Sequence, residues 1–330
     1  MTSPKQALFD AGEASAELPV CDHYAGIEAR MVKSLALQAE LGPVFDVTLD
    51  CEDGAPVGGE VEHARLVAEM VLSSRNVHGR CGVRVHPVGH PSFAGDVATI
   101  VAAAHARLAY VMLPKVESAA DVLQAAAAID AAGGAALPLH ALVETHGALR
   151  EVAAIAAHPR IESLSFGLMD FVSAHRGAIP ASAMSADGQF THPLVVRAKL
   201  EIAAACHAFS KTPSHSVVTE FADPAIVAHA ARRAAREFGY TRMWSIHPGQ
   251  IRVIVAAFSP DAGEVDEAIA IIDAAAAAGW APIQRAGVLH DRASYRYFWR
   301  LLVRARRTGT HLPGHVERYF CATDPVAAVA

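Results

Sequence analysis

The stretch "DVTLDCEDGAP", residues 46–56, begins at Asp46 as an alternating apolar segment, continues into three further acidic side chains, and ends at a glycine and a proline. Alternation with period two predicts a β-strand, and the glycine and proline predict the turn that ends it. The acidic residues Asp50, Glu52 and Asp53 therefore lie at the carboxyl end of a predicted strand. In α/β proteins that end faces the binding site, so the stretch predicts a strand that leads into a site.

Short apolar, β-branched segments alternate with Ala-rich helical segments along the chain. The predicted strands are 17–22, 44–50, 81–86, 109–113, 139–143, 161–166, 215–219 and 242–246. This alternation predicts an α/β fold, but it fits a (β/α)8 TIM barrel and a doubly wound sheet alike. Polar residues follow nearly every predicted strand, and a barrel brings all of them to one mouth, whereas an open sheet gathers only those at its crevice. The barrel is therefore our interpretation.

Helix boundaries are marked by capping residues. Ser118, with Asp121 three residues later, predicts a capped helix that begins at residue 119. Asp223 followed by Pro224 predicts another, which runs to Gly239. In the segment 60–74, an apolar stripe at helical spacing predicts a helix that lies on the sheet. The members of this stripe are Ala64, Val67, Ala68, Val71 and Leu72.

The predicted organisation has three parts: a flexible N-terminus at 1–16, the barrel with its site at 17–258, and a helical extension at 259–330. The five cysteines are far apart and include no CxxC pair, which argues against a disulfide framework or a zinc cage and favours a cytoplasmic protein. No apolar segment approaches the roughly 20 residues that cross a bilayer. A net charge of −6 with dispersed basic residues argues against nucleic acid as a partner and favours a small-molecule substrate.

Six motifs occur in a fixed order along the chain. They are "DVTLDCEDGAP", "VRVHP", "VMLPKVES", "LHALVETHGAL", "LSFGLMDF" and "SIHPGQI". In these motifs the chain resembles the citrate lyase β-subunit-like branch of the HpcH/HpaI aldolase superfamily, close to malyl-CoA and citramalyl-CoA lyases. The resemblance covers about residues 18–307 and implies a TIM barrel with helices appended at the C-terminus.

Two carboxylates at the ends of neighbouring predicted strands, Glu144 and Asp170, suit a hard divalent cation that keeps coordination sites for substrate. The resemblance implies that they are the metal ligands and that the ion is Mg²⁺, with Mn²⁺ as the alternative. The other interpretation is that they cap helices or pair with a lysine.

Arg84 is predicted to point inward near the mouth, where its fork suits a substrate carboxylate or an enolate oxygen. The alternative is a salt bridge to Glu52 or Asp53, and the two roles are compatible. Glu52 is expected to support catalysis by bonding to metal waters or Arg84, and Asp53 to orient the loop and the substrate. For Lys115, a substrate contact and a structural ion pair remain open; the resemblance argues against a Schiff base.

The segment "AGVLHDRASYR" resembles the family's lid element, in which an aspartate reaches the site of a neighbouring subunit as acid or base. Asp291 matches that aspartate, with an N-cap of the next helix as the alternative. A lid of this kind requires a homo-oligomer, and the resemblance implies a trimer or a hexamer. The first strand departs from the family, since the arginine and the Pro-Gly turn are missing and His23 and Tyr24 are expected in that turn.

These features predict a magnesium-dependent carbon–carbon lyase, an oxo-acid lyase. It would cleave a 3-hydroxyacyl-CoA such as malyl-, citramalyl- or citryl-CoA into an acyl-CoA and a 2-oxo acid. A thioesterase for malyl-CoA and an aldolase for free hydroxy-oxo acids are alternatives on the same scaffold. The alternative of another class is a non-catalytic barrel that binds a dicarboxylate or serves as a subunit of a lyase complex.

Overall fold

The computed structural model describes residues 3–10 and 18–321 of the 330-residue chain. These form two compact units, one made of residues 18–258 and the other of residues 3–10 with 259–321. Within the described residues, no helix is long and apolar enough to cross a membrane.

The first unit is a closed (β/α)8 barrel, as predicted. Eight parallel strands of the described chain follow one another in order, and the last pairs with the first. Their bounds are β1 Cys21–Ala25, β2 Phe45–Asp50, β3 Cys81–Arg84, β4 Val111–Leu113, β5 Leu139–Val143, β6 Ile161–Phe166, β7 Thr212–His215 and β8 Arg242–Ser245. All eight carboxyl ends therefore meet at one mouth.

Helices connect and surround these strands. Their bounds are α1 Pro4–Leu8, α2 Glu28–Leu41, α3 Glu60–Leu72, α4 Phe93–Asp96, α5 Ala102–Ala104, α6 Ala119–Ala131, α7 His146–Arg150, α8 Val152–Ala157, α9 Leu168–Ser173, α10 Pro193–Ala208, α11 Pro224–Glu237, α12 Pro248–Phe258, α13 Ala262–Ala277, α14 Arg292–Arg307 and α15 Gly314–Cys321. A π-helical turn, Val97–Val101, joins α4 to α5, and two short 3₁₀ helices, Ala181–Met184 and Gly188–Phe190, precede α10.

The capping residues act as the sequence predicts. Ser118 and Asp121 form a reciprocal capping box at the start of α6, and Asp223 accepts a hydrogen bond from the backbone of Ala225 at the start of α11. Helix α3 buries four members of its predicted stripe, whereas Leu72 is exposed. Outward-facing strand residues such as Val47 pack with these helices into the main hydrophobic core.

A polar layer fills the inside of the barrel near the strand starts. Arg242 is fully buried and pairs with Asp46 at 2.6 Å and with Asp22 at 3.1 Å. Asp22 also accepts hydrogen bonds from the hydroxyls of Thr48, at 2.7 Å, and Tyr110, at 3.0 Å. Charged groups remain buried only when such partners surround them, so this layer is held by mutual ion pairing.

The polar layer explains why the first strand was misplaced. The prediction of 17–22 followed the apolar letters of "LPVC", but β1 is "CDHYA" and turns Asp22 into the polar layer. Residue 17 lies outside the described residues. His23 and Tyr24 lie within β1, so the prediction that they stand in the following turn is wrong. A strand whose inward side chains are polar lacks the apolar alternation that identifies strands in sequence.

The seventh strand was misplaced for a related reason. The prediction of 215–219 followed the β-branched residues of "HSVVT", whereas β7 covers Thr212–His215 and contains Pro213. His215 turns outward and meets the buried amine of Lys199 at 2.7 Å. Buried polar residues and a proline within the strand removed the signal on which the prediction depended.

The second unit has its own hydrophobic cluster, to which Ile271, Trp299 and Leu302 contribute. Helix α1 adds Leu8 to this cluster, where the sequence predicted a flexible terminus; residues 1–2 and 11–16 of that prediction lie outside the described residues. The unit also contains an antiparallel hairpin, Ile283–Arg285 with Val288–His290, which the expectation of a helical extension missed. Ala286 and Gly287 connect its strands with positive φ at both positions, the conformation of a tight two-residue hairpin turn.

Candidate active site at the carboxyl ends of the strands

Asp50 organises the loop that follows β2. Its Oδ1 accepts a hydrogen bond from the backbone of Glu52 at 3.0 Å, and its Oδ2 accepts one from Gly54 at 2.8 Å. A Cβ at position 54 would lie 2.3 Å from that same Oδ2, so the glycine is needed for the loop to close on the carboxylate. The acidic end of the stretch 46–56 is thus partly structural, because Asp50 stabilises the loop that carries Glu52 and Asp53.

Arg84, the last residue of β3, lies between two carboxylates. Its Nε donates to Asp50 Oδ1 at 2.7 Å, its Nη2 donates to Asp50 Oδ2 at 2.5 Å, and its Nη1 lies 3.1 Å from Glu52 Oε2. Burial would lower the pKa of Arg84, but Asp50 raises it above its ordinary value, so the side chain stays charged. The predicted pairing with Glu52 is present. The closer partner, Asp50, was assigned no role from the sequence, although it stands in the same motif.

Lys115 lies beside Glu52, one of the two partners of Arg84, and also near two further acidic residues. Its Nζ contacts Glu52 and lies 3.0 Å from Asp53 and 3.8 Å from Asp170. Burial would lower the pKa of Lys115, but hydrogen bonds from its Nζ to Glu52 and Asp53 raise it above its ordinary value. The same contact lowers the pKa of Asp53 against the effect of burial. A lysine that keeps its proton is a poor nucleophile, which agrees with a non-covalent role.

The backbone at Lys115 is as specific as its side chain. Its φ of 48° lies in the left-handed region, which is uncommon for a residue with a side chain. Its backbone N–H donates to Glu144 Oε1 at 2.7 Å. The sequence offered no signal for this conformation beyond the preceding Pro114.

Glu144 follows β5 and is almost fully buried, with 3% of its surface exposed. Burial, followed by repulsion from Asp170, raises its pKa to about 8. Gly167 makes room for this side chain, because a Cβ there would lie 2.1 Å from Glu144 Oε2. Asp170, in the first turn of α9, is more open, with 40% of its side chain exposed.

The structure brings six of the seven predicted site residues together. Direct contacts, or in one case electrostatic repulsion, connect Arg84, Glu52, Asp53, Lys115, Glu144 and Asp170 at the mouth. The seventh, Asp291, belongs to the second unit. It is the N-cap of α14, where its Oδ1 accepts hydrogen bonds from the backbones of Ala293 and Ser294 at 3.0 and 3.3 Å. The capping alternative is therefore present in the structure, and it engages one of the two carboxylate oxygens.

The donor set at the mouth fits a divalent cation with oxygen ligands. Glu144 and Asp170 repel each other, and the carboxylates of the mouth outnumber its two cationic side chains. Within residues 3–10 and 18–321, no group of three or more histidine, cysteine or acidic side chains could hold a metal. A hard ion that takes only two protein carboxylates and completes its shell with other oxygens suits this arrangement.

Comparisons with known proteins agree with the geometry. A family model described as HpcH/HpaI aldolase/citrate lyase matches residues 33–248. An L-malyl-CoA/beta-methylmalyl-CoA lyase of Cereibacter sphaeroides is 30% identical, over 76% of this chain and 84% of the relative. The crystal structure of a citrate lyase from Burkholderia xenovorans LB400 is 53% identical, with a TM-score of 0.84 over 97% of this chain and 100% of that chain.

A second solved structure contains ligands. The citrate lyase beta subunit of Mycobacterium tuberculosis, complexed with oxaloacetate and magnesium, is 27% identical, with a TM-score of 0.58 over 75% of this chain and 99% of that chain. Together these matches cover the barrel and its mouth. The chain therefore belongs to the HpcH/HpaI aldolase/citrate lyase family and is a carbon–carbon lyase.

Proposed function

We propose that this chain is a magnesium-dependent lyase that cleaves a 3-hydroxyacyl-CoA of the malyl, citramalyl or citryl type into an acyl-CoA and a 2-oxo acid. The observation that carries the proposal is the pair Glu144 and Asp170, two mutually repelling carboxylates beside a charged arginine and lysine at the barrel mouth. The coenzyme A thioesters named for the relatives support this substrate class.

Glu144 and Asp170 would hold the metal. When bound, Mg²⁺ would neutralise the charge on the oxo-acid oxygens, as a Lewis acid does at such sites. The backbone N–H of Lys115 fixes one oxygen of Glu144, so the carboxylate keeps one orientation.

Arg84 would receive the substrate carboxylate or the developing enolate oxygen. Asp50 and Glu52 hold its fork in place, so the guanidinium is oriented before substrate arrives. Lys115 and Asp53 are proposed to line the same region, with the lysine offsetting the acidic excess. An arginine fixed in this way stabilises charge without reorganising during the reaction.

The bond-breaking step is a retro-Claisen cleavage. A base removes the proton of the 3-hydroxyl group, the C–C bond breaks as the oxo acid forms, and the electron pair passes to the enolate of the acyl thioester. An acid then protonates that carbon. We assign the acid or base to Asp291 of a neighbouring subunit, in a homo-oligomer that we propose to be a trimer or a hexamer.

Product analysis tests the reaction. Purified protein is incubated with Mg²⁺ or EDTA and with malyl-, citramalyl- or citryl-CoA, beside the free hydroxy acids, and products are identified by mass spectrometry. We expect magnesium-dependent release of a 2-oxo acid and an acyl-CoA. Release of free CoA with the intact hydroxy acid would identify a thioesterase, and cleavage of the free acids alone would identify an aldolase. No turnover in any arm would favour the non-catalytic barrel.

Complementation tests the role of Asp291. Glu144→Gln and Asp291→Asn are each expected to be inactive alone. Mixed after subunit exchange, they should recover activity at about a quarter of the sites, because a barrel with Glu144 can then meet a neighbour with Asp291. No recovery despite exchange, confirmed by mass spectrometry of the oligomers, would show that Asp291 does not act across subunits.

A further inference from the structure

A second layer of side chains lies inside the barrel, between the polar layer and the mouth. It is a separate buried cluster of Tyr24 from β1, Met112 from β4, Leu142 from β5, Val217 after β7 and Trp244 from β8. The two aromatic rings are stacked, with centroids 4.4 Å apart and an angle of 27° between their planes. We call these five residues the aromatic floor.

The aromatic floor lies directly against the candidate site. The guanidinium carbon of Arg84 is 5.2 Å from the centroid of the Tyr24 ring. Leu142 precedes Glu144 by two positions, and residues two apart on a strand point to the same face. A ligand held by Arg84 and a metal at Glu144 therefore has the floor beneath it.

Two polar atoms of the floor are buried without a hydrogen-bond partner among the described residues. They are the hydroxyl of Tyr24 and the indole Nε1 of Trp244. Burial, followed by repulsion from Asp22, raises the pKa of Tyr24 well above its ordinary value, so its hydroxyl keeps the proton it can donate. Native structures rarely leave such groups unsatisfied, and an unsatisfied pair beside a binding site points to a ligand.

Tyr110 shows the contrast within the same barrel. It is also an inward-facing, fully buried tyrosine, but its hydroxyl bonds to Thr48 at 2.6 Å and to Asp22 at 3.0 Å. The hydroxyl of Tyr110 is thus satisfied without a ligand, whereas the hydroxyl of Tyr24 is not.

We infer that Tyr24 and Trp244 determine substrate specificity: they form the floor on which a short 2-oxo acid rests below Arg84, and they donate hydrogen bonds to its oxygen atoms. This inference rests on the proposed function, because it takes the oxo acid to be the product held at Arg84. The side chains of Met112, Leu142 and Val217 offer only apolar contacts to the carbon chain of the acid and favour a short chain.

Calorimetric binding of glyoxylate, pyruvate and 2-oxobutyrate, each with Mg²⁺, tests the inference without requiring turnover. Tyr24→Phe keeps the stacked ring and removes only the hydroxyl. It should raise the Kd of the preferred acid about fivefold to tenfold, the effect of one lost hydrogen bond. Trp244→Phe should do the same. Tyr297→Phe, at an exposed position of α14, is the matched control and should leave the Kd unchanged.

A size variant and a kinetic readout complete the test. Tyr24→Ala should shift preference from the shorter acid towards 2-oxobutyrate, because it opens the floor. In the condensation direction, Tyr24→Phe should raise the KM of the oxo acid and leave that of the acyl-CoA unchanged. A merely structural tyrosine would change the melting temperature but neither the Kd nor this KM.

The outcomes separate the inference from the proposed function. Wild-type turnover with oxo-acid Kd values within about twofold in Tyr24→Phe and Trp244→Phe would overturn the inference and leave the lyase intact. Weakened oxo-acid binding in these variants without lyase turnover would overturn the proposed reaction and support the floor. Absence of oxo-acid binding to the wild-type protein would also overturn the inference.

Discussion

The barrel contains two arginines that each lie between two carboxylates, and their surroundings differ. Arg242, near the strand starts, is fully buried between Asp22 and Asp46 and also donates to a backbone carbonyl. Arg84, at the mouth, lies between Asp50 and Glu52 and has further acidic residues beyond them. The same kind of ion pair therefore stabilises the closed barrel near the strand starts, whereas at the mouth it leaves an excess of negative charge.

The difference shows which polar residues of a barrel belong to a site. In the polar layer, Thr48 and Tyr110 satisfy the acidic oxygen atom that faces them. At the mouth, Glu144 has its pKa raised to about 8 by burial and by Asp170, and Lys115 has a left-handed backbone. Strain and unbalanced charge concentrate where a ligand is expected to offset them.

The largest expected effect is on turnover in Glu144→Gln. Loss of a metal ligand removes several kcal/mol of charge stabilisation, so kcat/KM should fall at least about a thousandfold. The variant should still fold, because its glutamine places no buried charge at this position. The control is Glu162→Gln, a carboxylate on β6 that pairs with His140. A similar loss of kcat/KM in both variants would mean that the effect is not specific to a carboxylate at the mouth.

Arg242→Met should damage stability. It leaves Asp22 and Asp46 buried without their shared cation, and breaking a buried ion pair in this way costs about 3 to 5 kcal/mol. Urea unfolding of the variant and the wild type measures this cost. Activity per folded molecule should be retained. A stability within about 1 kcal/mol of the wild type would mean that the polar layer does not hold the barrel closed.

Arg84→Lys should impair activity more than stability, which is the reverse of the result expected for Arg242→Met. The lysine keeps the charge but cannot bond Asp50 through two nitrogens, so substrate orientation is lost and kcat/KM should fall about a hundredfold. The free energy of unfolding should change by less than in Arg242→Met. Unimpaired turnover would show that Arg84 has only a structural role, in its ion pairs with neighbouring carboxylates.

Magnesium affinity should depend on pH, because the metal competes with the proton on Glu144. Below the Glu144 pKa of about 8, the apparent Kd for Mg²⁺ should rise about tenfold per pH unit. In EDTA, where no metal is bound, the direction in which stability changes with pH follows from the same raised pKa of Glu144. The folded protein binds a proton that the unfolded chain has released, so its melting temperature should fall as pH rises towards 8. Glu144→Gln should remove both trends, and persistence of either would exclude Glu144 as their source.

The sequence predicted the barrel, six of its strands and the residues of the mouth, because apolar periodicity and charged strand ends are local patterns. It misplaced β1 and β7, whose buried polar residues and proline carry no such pattern. Asp50 was overlooked because nothing in one sequence shows which of three nearby acids will turn towards Arg84. The stacking of Tyr24 on Trp244 depends on barrel closure between β1 and β8 and has no signal along the chain.

Magnesium titration of the metal-free protein by calorimetry tests the central claim most directly. At a pH above 8, the wild type and Glu162→Gln should bind one ion per chain with equal affinity. Glu144→Gln and Asp170→Asn should each weaken binding at least about a hundredfold. Wild-type affinity in both mouth variants would contradict the claim that these two carboxylates form the metal site.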